Sequence, residues 1–286
     1  MSTLPHPITG QPFTSPVPPG TGWPQDPARP RTRRARDGEQ VAALAASTRS
    51  LEQLDARSSV CRACPRLVDW RENVARTRRR AYDDQPYWGR PAPGLGDTNP
   101  RLLVVGLAPA AHGANRTGRV FTGDRSGDWI FAALHRAGYT NQPTSLHAGD
   151  GLEVSGARIV AAVRCAPPDN APTPTERATC AHWLRREIQL VTGSLTGILT
   201  LGQIAWQATF AALSMLGWQV PRPRPAFGHG AKAQVVPPTR GGDVAHRSVA
   251  VVGSYHVSQQ NTFTGRLTEQ MLDAAIAACA PSQDQS

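Results

Sequence analysis

Four short apolar runs punctuate the chain: Leu102-Leu103-Val104-Val105-Gly106, Ile159-Val160-Ala161-Ala162-Val163, Gly197-Ile198-Leu199-Thr200-Leu201-Gly202 and Ser248-Val249-Ala250-Val251-Val252-Gly253. None shows the apolar–polar alternation of a half-exposed strand, so each reads as a strand covered on both faces. Helical spacing fills the stretches Trp129 to Ala137, Thr175 to Leu190, Ile204 to Leu216 and Leu267 to Ala278. Strands alternating with helices predict an α/β fold, a three-layer α/β/α domain around a central, mostly parallel four-stranded sheet. Chemistry gathers at the carboxyl ends of such strands, so the loops after Gly106, Val163, Gly202 and Gly253 are expected to face one cleft. A further helical pattern runs from Val41 to Leu54 through Leu44 and Leu51.

Before about Ser50 the periodicity fails. Pro16, Pro18, Pro19 and Gly20 crowd together, Pro24, Pro27 and Pro30 follow, and Arg29, Arg31, Arg33, Arg34 and Arg36 form a basic run. Such text does not build a core, so residues 1–50 are expected to be a disordered Pro/Arg-rich tail, 51–280 the catalytic-sized domain, and 281–286 a short C-terminal tail. The arginines suit either a phosphate backbone or plain solvent.

The 286 residues are 40% hydrophobic, enough for one substantial core or two small ones. No uncharged run approaches the roughly 18 to 20 residues of a membrane span, and the start lacks the order of a secretory signal. The expectation is a cytoplasmic, nucleoid-associated protein with no membrane partner. Basic residues outnumber acidic ones 31 to 21, and Lys232 is the only lysine. Arginine forks onto phosphate oxygens with two hydrogen bonds, so the excess favours a nucleic acid as the partner.

Four of five cysteines have informative neighbours: Cys61-Arg62-Ala63-Cys64-Pro65, Cys165-Ala166-Pro167-Pro168, and Cys180. A C-x2-C pair presents two thiolates from one turn, and the later two can complete a four-thiolate shell. Spacing alone does not choose the metal, but zinc ribbons usually supply two tight pairs, whereas 14 residues separate Cys165 from Cys180. The looser arrangement suits an iron–sulfur cluster, with disulfides as the alternative. Cys279 ends an apolar helix and reads as a core residue.

After the first strand comes a long run of small residues, Gly106 to Asp124, through which a backbone can approach a planar or anionic ligand. It lacks the lysine and hydroxyl of a phosphate-binding P-loop and the GxGxxG order of a dinucleotide fold. The last strand delivers Tyr255-His256-Val257-Ser258-Gln259-Gln260-Asn261-Thr262-Phe263-Thr264-Gly265-Arg266 toward the same cleft. A histidine there can donate to an oxygen gaining negative charge, and its polar neighbours can bind phosphates.

Together, Gly106 to Asp124, Arg164-Cys165-Ala166-Pro167-Pro168 and His256 to Gly265 resemble the motifs of the type-5 uracil-DNA glycosylases, an iron–sulfur branch of the uracil-DNA glycosylase superfamily. The resemblance covers about Arg57 to Ala278. It implies a structural [4Fe-4S] cluster on Cys61, Cys64, Cys165 and Cys180, and a monofunctional enzyme that initiates base excision repair. Such an enzyme hydrolyses the N-glycosidic bond of uracil and other damaged bases in DNA, hypoxanthine and ethenocytosine among them. The target nucleotide must first swing out of the stack, at a cost of a few kcal/mol.

Residue by residue, the resemblance implies that Phe121 stacks on the flipped base, that the backbone of Gly106, Leu107 and Ala108 walls it, and that His256 stabilises the leaving base. Asp124 is the first candidate to orient water or offset charge on the sugar, with a helix cap before Trp129 as its plain structural alternative and Asn115 as the fallback. Asn170 resembles an asparagine used near the base, against an ordinary turn residue. Ala161 stands where the related iron–sulfur type offers a base-reading asparagine, so discrimination is expected to be loose. Ser258, Gln259, Gln260 and Arg266 are the expected DNA contacts, the two glutamines standing where relatives insert a wedge. A monomer is the expected state. Two rivals are a noncatalytic zinc- or cluster-containing DNA-binding protein, which leaves the Gly106 and His256 loops unexplained, and an electron-transfer iron–sulfur protein, for which nothing in the sequence suggests a partner domain or a second cofactor.

Overall fold

A computed structural model of the chain describes residues 3–238 and 248–280. The expected C-terminal tail, 281–286, lies outside the described residues. The fold opens with a small hairpin, β1 (Leu4–Pro5) and β2 (Pro12–Phe13), followed by α1 (Gly38–Ala46), α2 (Leu51–Ser58) and α3 (Pro65–Thr77). Then come β3 (Leu95–Gly96), β4 (Leu102–Gly106), α4 (Ala114–Thr117), α5 (Arg125–Arg136), β5 (Ala157–Ala161) and α6 (Pro174–Val191). The rest is β6 (Gly197–Leu201), α7 (Gln203–Met215), β7 (Lys232–Val235), β8 (Val249–Ser254), α8 (Gln259–Phe263) and α9 (Glu269–Ala277).

The four apolar runs form the parallel centre β5-β4-β6-β8, and every residue in these strands is buried. Val104 sits beside Ile159 on one side and Leu199 on the other. Alternate residues then serve opposite cores. Leu103, Val105, Val160 and Ile198 pack with Trp183, Ile188 and Phe210 of α6 and α7. Leu102, Val104, Ile159 and Leu199 pack with Phe131 and Leu134 of α5 and Ile276 of α9. The layers are as expected, but among the described residues the sheet has six strands rather than four. Antiparallel β3 and β7 close its two edges. β3 is only two residues long, and β7 alternates exposed with buried positions, so neither carries the continuous apolar run that marks a central strand.

The N-terminal segment corrects the sequence expectation more sharply: its described residues are packed, not disordered. Phe13, Val17 and Trp23 are buried with Trp88 and Ala148 in a separate small core. The Val17 amide donates to the Trp88 carbonyl at 3.0 Å, the Tyr87 amide donates to Ser15 Oγ at 2.8 Å, and Arg90 pairs with Asp26 at 2.7 Å. These anchors arrive singly among prolines, so neither period 2 nor period 3.6 reveals them. Arg29, Arg31, Arg33, Arg34 and Arg36 remain exposed. The pattern from Val41 to Leu54 is also two helices rather than one, because Asp37 caps α1 and Ser50 caps α2 by accepting from the Gln53 amide at 3.2 Å.

A buried ion network ties these helices to the sheet. Arg158 on β5 reaches Asp55 of α2 at 2.7 Å and also Glu187 of α6, which Arg164 contacts too. Burial alone would raise the Glu187 carboxyl, yet the Arg158 and Arg164 guanidinia hold it below its ordinary value. Among the described residues no helix is long and apolar enough to cross a membrane.

Candidate active site

A cavity of about 640 Å³ opens at the carboxyl ends of β4, β5 and β8. Phe121 and His256 both line it, with ring centroids 6.2 Å apart and planes inclined by 36°. The Phe121 ring lies on the end of β4: a Cβ at Gly106 would meet its Cζ at 2.6 Å, so only glycine admits the ring there. Phe121 itself holds a left-handed backbone, φ 50°, which a bulky residue adopts only when its surroundings enforce it. Gly127 supplies part of that enforcement, since a Cβ there would stand 2.1 Å from the Phe121 carbonyl oxygen.

Asp124 is both things that the sequence left open. It caps α5, its Oδ1 accepting from the Gly127 amide at 3.0 Å, and it lines the cavity. Its other oxygen lies against the Gly113 Cα, where a Cβ would stand 1.9 Å from Oδ2. The cap therefore starts α5 at Arg125, ahead of Trp129, and aims the carboxylate as well. Burial raises the Asp124 carboxyl above its ordinary value, against the lowering effect of the Gly127 and Ser126 amides.

His256 follows β8 and is half-buried. Asn261 Nδ2 donates to its carbonyl at 2.8 Å, which fixes the backbone while the residue lines the cavity. Burial lowers its imidazole to about 4, so it is neutral at pH 7. Leu107, Ala108, Ala161 and Asn170 also line the cavity, Asn170 being the second of two successive left-handed residues, after Asp169. Ser258, Gln259 and Gln260 form one side of the mouth.

Four placements depart from expectation, the first being Gly106, which lies against the Phe121 ring and is not among the lining residues. Arg266 lies outside the lining, its guanidinium 4.5 Å from the Tyr255 ring centroid. Asn115 is buried off the cavity, where Nδ2 donates to the Arg71 carbonyl at 3.1 Å and ties the loop to α3. The loop after β6 gives no lining residue; Gly202 instead backs His256, with room for a Cβ only 3.5 Å from that side chain's own. Sequence reasoning missed Arg79, Tyr82, His112 and Arg125, which also line the cavity. The one available signal was the run Arg78-Arg79-Arg80 beside Tyr82, basic residues next to an aromatic. Arg116 places its guanidinium 4.0 Å from the Tyr82 ring centroid and bonds the His112 and Gly123 carbonyls at 2.8 Å, so this side of the cavity is stiffly built.

Cys61, Cys64, Cys165 and Cys180 line a second, small space with Leu67, Arg71, Val163 and Trp183. All five cysteines are free, which removes the disulfide alternative. Cys165 Sγ accepts from Arg71 Nη1 at 2.8 Å and Cys180 Sγ from the Arg164 amide at 3.3 Å. Burial, then the neighbouring Cys165 sulfur, pushes Cys61 up to about 11 and Cys64 up to about 12. Among the described residues no group of three or more His, Cys, Asp or Glu side chains is placed to hold a single metal ion. Four cysteines around one space, Cys165 buried and the other three half-buried, with N–H donors aimed at two of the sulfurs, are a donor set that a multinuclear cluster would fit. Cys279 is buried in the core as expected, its thiol donating to the Ala275 carbonyl at 3.4 Å.

The family described as the uracil DNA glycosylase superfamily matches residues 93–280, which hold the whole sheet after β3 begins and both loops that meet in the cavity. The chain belongs to that superfamily. Within it the likeness is to type-5 uracil-DNA glycosylases. The chain is 57% identical to that of Mycobacterium tuberculosis (strain CDC 1551 / Oshkosh) over 268 residues, 94% of this chain and 95% of the relative. It is 47% identical to that of Thermus thermophilus over 213 residues, covering 74% and 89%. The type-5 protein of Pyrobaculum aerophilum is 43% identical over 220 residues, covering 77% and 88%. A type-4 uracil-DNA glycosylase of Thermotoga maritima is 30% identical over only 113 residues, 39% of this chain. The long alignment with the mycobacterial relative reaches into the packed N-terminal segment as well.

Proposed function

We propose that this glycosylase receives one extruded nucleobase in the cavity shared by Phe121, Asp124 and His256, and excises it by hydrolysis. The single observation that carries this is the meeting of those three side chains in one opening at the strand ends. Excision of uracil from DNA is the activity of the family. As the glycosidic bond breaks, negative charge builds on the base and positive charge on the sugar, so a site works by meeting both. A neutral imidazole at His256 donates to the base oxygen and strengthens its bond as charge arrives. Asp124, held by the α5 amides, keeps a carboxylate beside the cavity to orient water or to face the sugar. No covalent nucleophile is needed.

The broader substrate range is part of the same proposal. Ala161 offers no side-chain hydrogen bond to a base edge, so hypoxanthine and ethenocytosine are expected to enter beside uracil. Cys61, Cys64, Cys165 and Cys180 would hold a [4Fe-4S] cluster that joins the start of α3, the end of β5 and the middle of α6; bound there it would supply rigidity rather than redox chemistry. The raised thiols mean that loading the site must release protons. The partner is DNA, met by a monomer in the cytoplasm. Purified protein is expected to cut uracil-, hypoxanthine- and ethenocytosine-containing oligonucleotides after alkali, and to carry brown absorbance with about four irons per chain. Cutting of uracil DNA alone would remove the broad range, and a colourless, iron-free active protein would remove the cluster.

A further inference from the structure

His112 lines the base cavity, and its setting fixes which of its nitrogens bears the proton. Tyr87 is fully buried, so its hydroxyl proton must find an acceptor inside the protein. The Arg79 amide donates to that hydroxyl at 3.4 Å, and His112 Nδ1 stands 3.1 Å from it. Nδ1 is thus the acceptor that satisfies Tyr87, and the proton of neutral His112 resides on Nε2. The backbone that carries the ring is held as well, because Arg116 donates to the His112 carbonyl at 2.8 Å while also bonding Gly123 and Gln85. Tyr87 in turn is pinned by Ser15 of the N-terminal segment.

Around this donor the charge is positive. Arg79 lines the same cavity with an exposed guanidinium that no carboxylate engages among the described residues. His112 also adjoins Gly113, against which Asp124 is turned, so it stands next to the carboxylate that the proposed function assigns to water or the sugar. We infer that His112 Nε2–H and the Arg79 guanidinium form a subsite for a backbone phosphodiester of the extruded nucleotide, with Tyr87 as the positioning residue that sets the tautomer. This rests on the reading of the cavity as the base slot. Burial, then Arg79 and Arg116, lowers the His112 pKa, so the imidazole meets the phosphate as a neutral donor while Arg79 supplies the charge.

The test is binding of the full-length protein to a duplex carrying a tetrahydrofuran abasic analogue, over a range of salt. His112→Asn, whose amide replaces Nδ1 rather than Nε2, is expected to raise Kd about tenfold without changing the slope of log Kd on log salt. His112→Gln, whose amide reaches toward the Nε2 position, is expected to stay within about threefold of the native protein, and Tyr87→Phe to lose about threefold. Arg79→Gln is expected to weaken binding and flatten the salt slope by about one charge. Native affinity in His112→Asn, a changed salt slope in that variant, or a loss found only in single-turnover excision at saturating DNA would overturn the subsite. Should His112→Asn fail to fold, Tyr87→Phe decides: native affinity in that variant also overturns it. The analogue has no glycosidic bond, so these outcomes stand even for a protein that excises nothing; failure of the native protein to release uracil would strike the proposed function instead.

Discussion

Two enclosed spaces lie on either side of one turn, and they are furnished on opposite terms. The base cavity is roomy, and three of its polar residues keep hydrogen-bonding capacity free there: Asp124 is tied by Oδ1, His112 by Nδ1 and its carbonyl, and His256 by its carbonyl. The cysteine space is small and closed, with Cys165 and Cys180 sulfurs already receiving N–H donors. Ala108 belongs to both, lining the first and packing against the Leu67–Val163–Cys165 cluster of the second. On the proposed function, the contrast separates a site for a visitor from a site for a resident. A visitor needs hydrogen-bonding capacity held in reserve; a resident uses it up.

The contrast breaks most directly at the cysteines. Cys61→Ser is expected to lose the iron and to cost on the order of 5 kcal/mol of unfolding free energy, read by denaturant titration beside an iron assay. An unchanged midpoint would make the second space as passive as a packing defect. Next in size, His256→Ala is expected to slow single-turnover excision by about 10²- to 10³-fold while abasic-DNA affinity holds. Loss of affinity with an unchanged rate would show that the imidazole binds rather than assists departure.

Asp124→Asn is expected to cost about 10²-fold in the same rate, and to change its dependence on pH. Because burial raises the Asp124 carboxyl, the native rate should start to fall, on acidification, at a pH above that of an ordinary aspartate. The asparagine variant should lack that limb. The smallest effect concerns what stands behind the open cavity. His6 and His147 meet with ring centroids 4.4 Å apart, and burial lowers them to about 4 and about 3. Unfolded histidines take up protons below about pH 6.5, whereas these stay neutral in the fold, so stability should decline as pH drops from there. His147→Gln is expected to flatten that decline in thermal melts; an identical slope would place the acid sensitivity elsewhere.

The central layers could be read directly, because a strand buried on both faces leaves an uninterrupted apolar word in the text. His256 was legible for a related reason, since it sits in a run of polar residues at a strand end, whereas Phe121 and Asp124 were singled out by the family resemblance. Three things escaped. Phe13, Val17 and Trp23 make a core without a period, so proline-rich text concealed an ordered segment. β3 and β7 borrow their stability from pairing with a buried neighbour rather than from their own composition. His112 looked like one more polar residue in a glycine-rich loop, and only Tyr87, 25 positions away in sequence, gives it direction.

The left-handed backbone of Phe121 has a consequence for how this position can vary through time. Asparagine, aspartate and glycine accept that conformation at least cost but offer no aromatic plane, while the residues that do offer one resist it. Drift by single exchanges is therefore hemmed in on both sides, and the ring and the glycines at 106 and 127 should travel through lineages as an inherited unit.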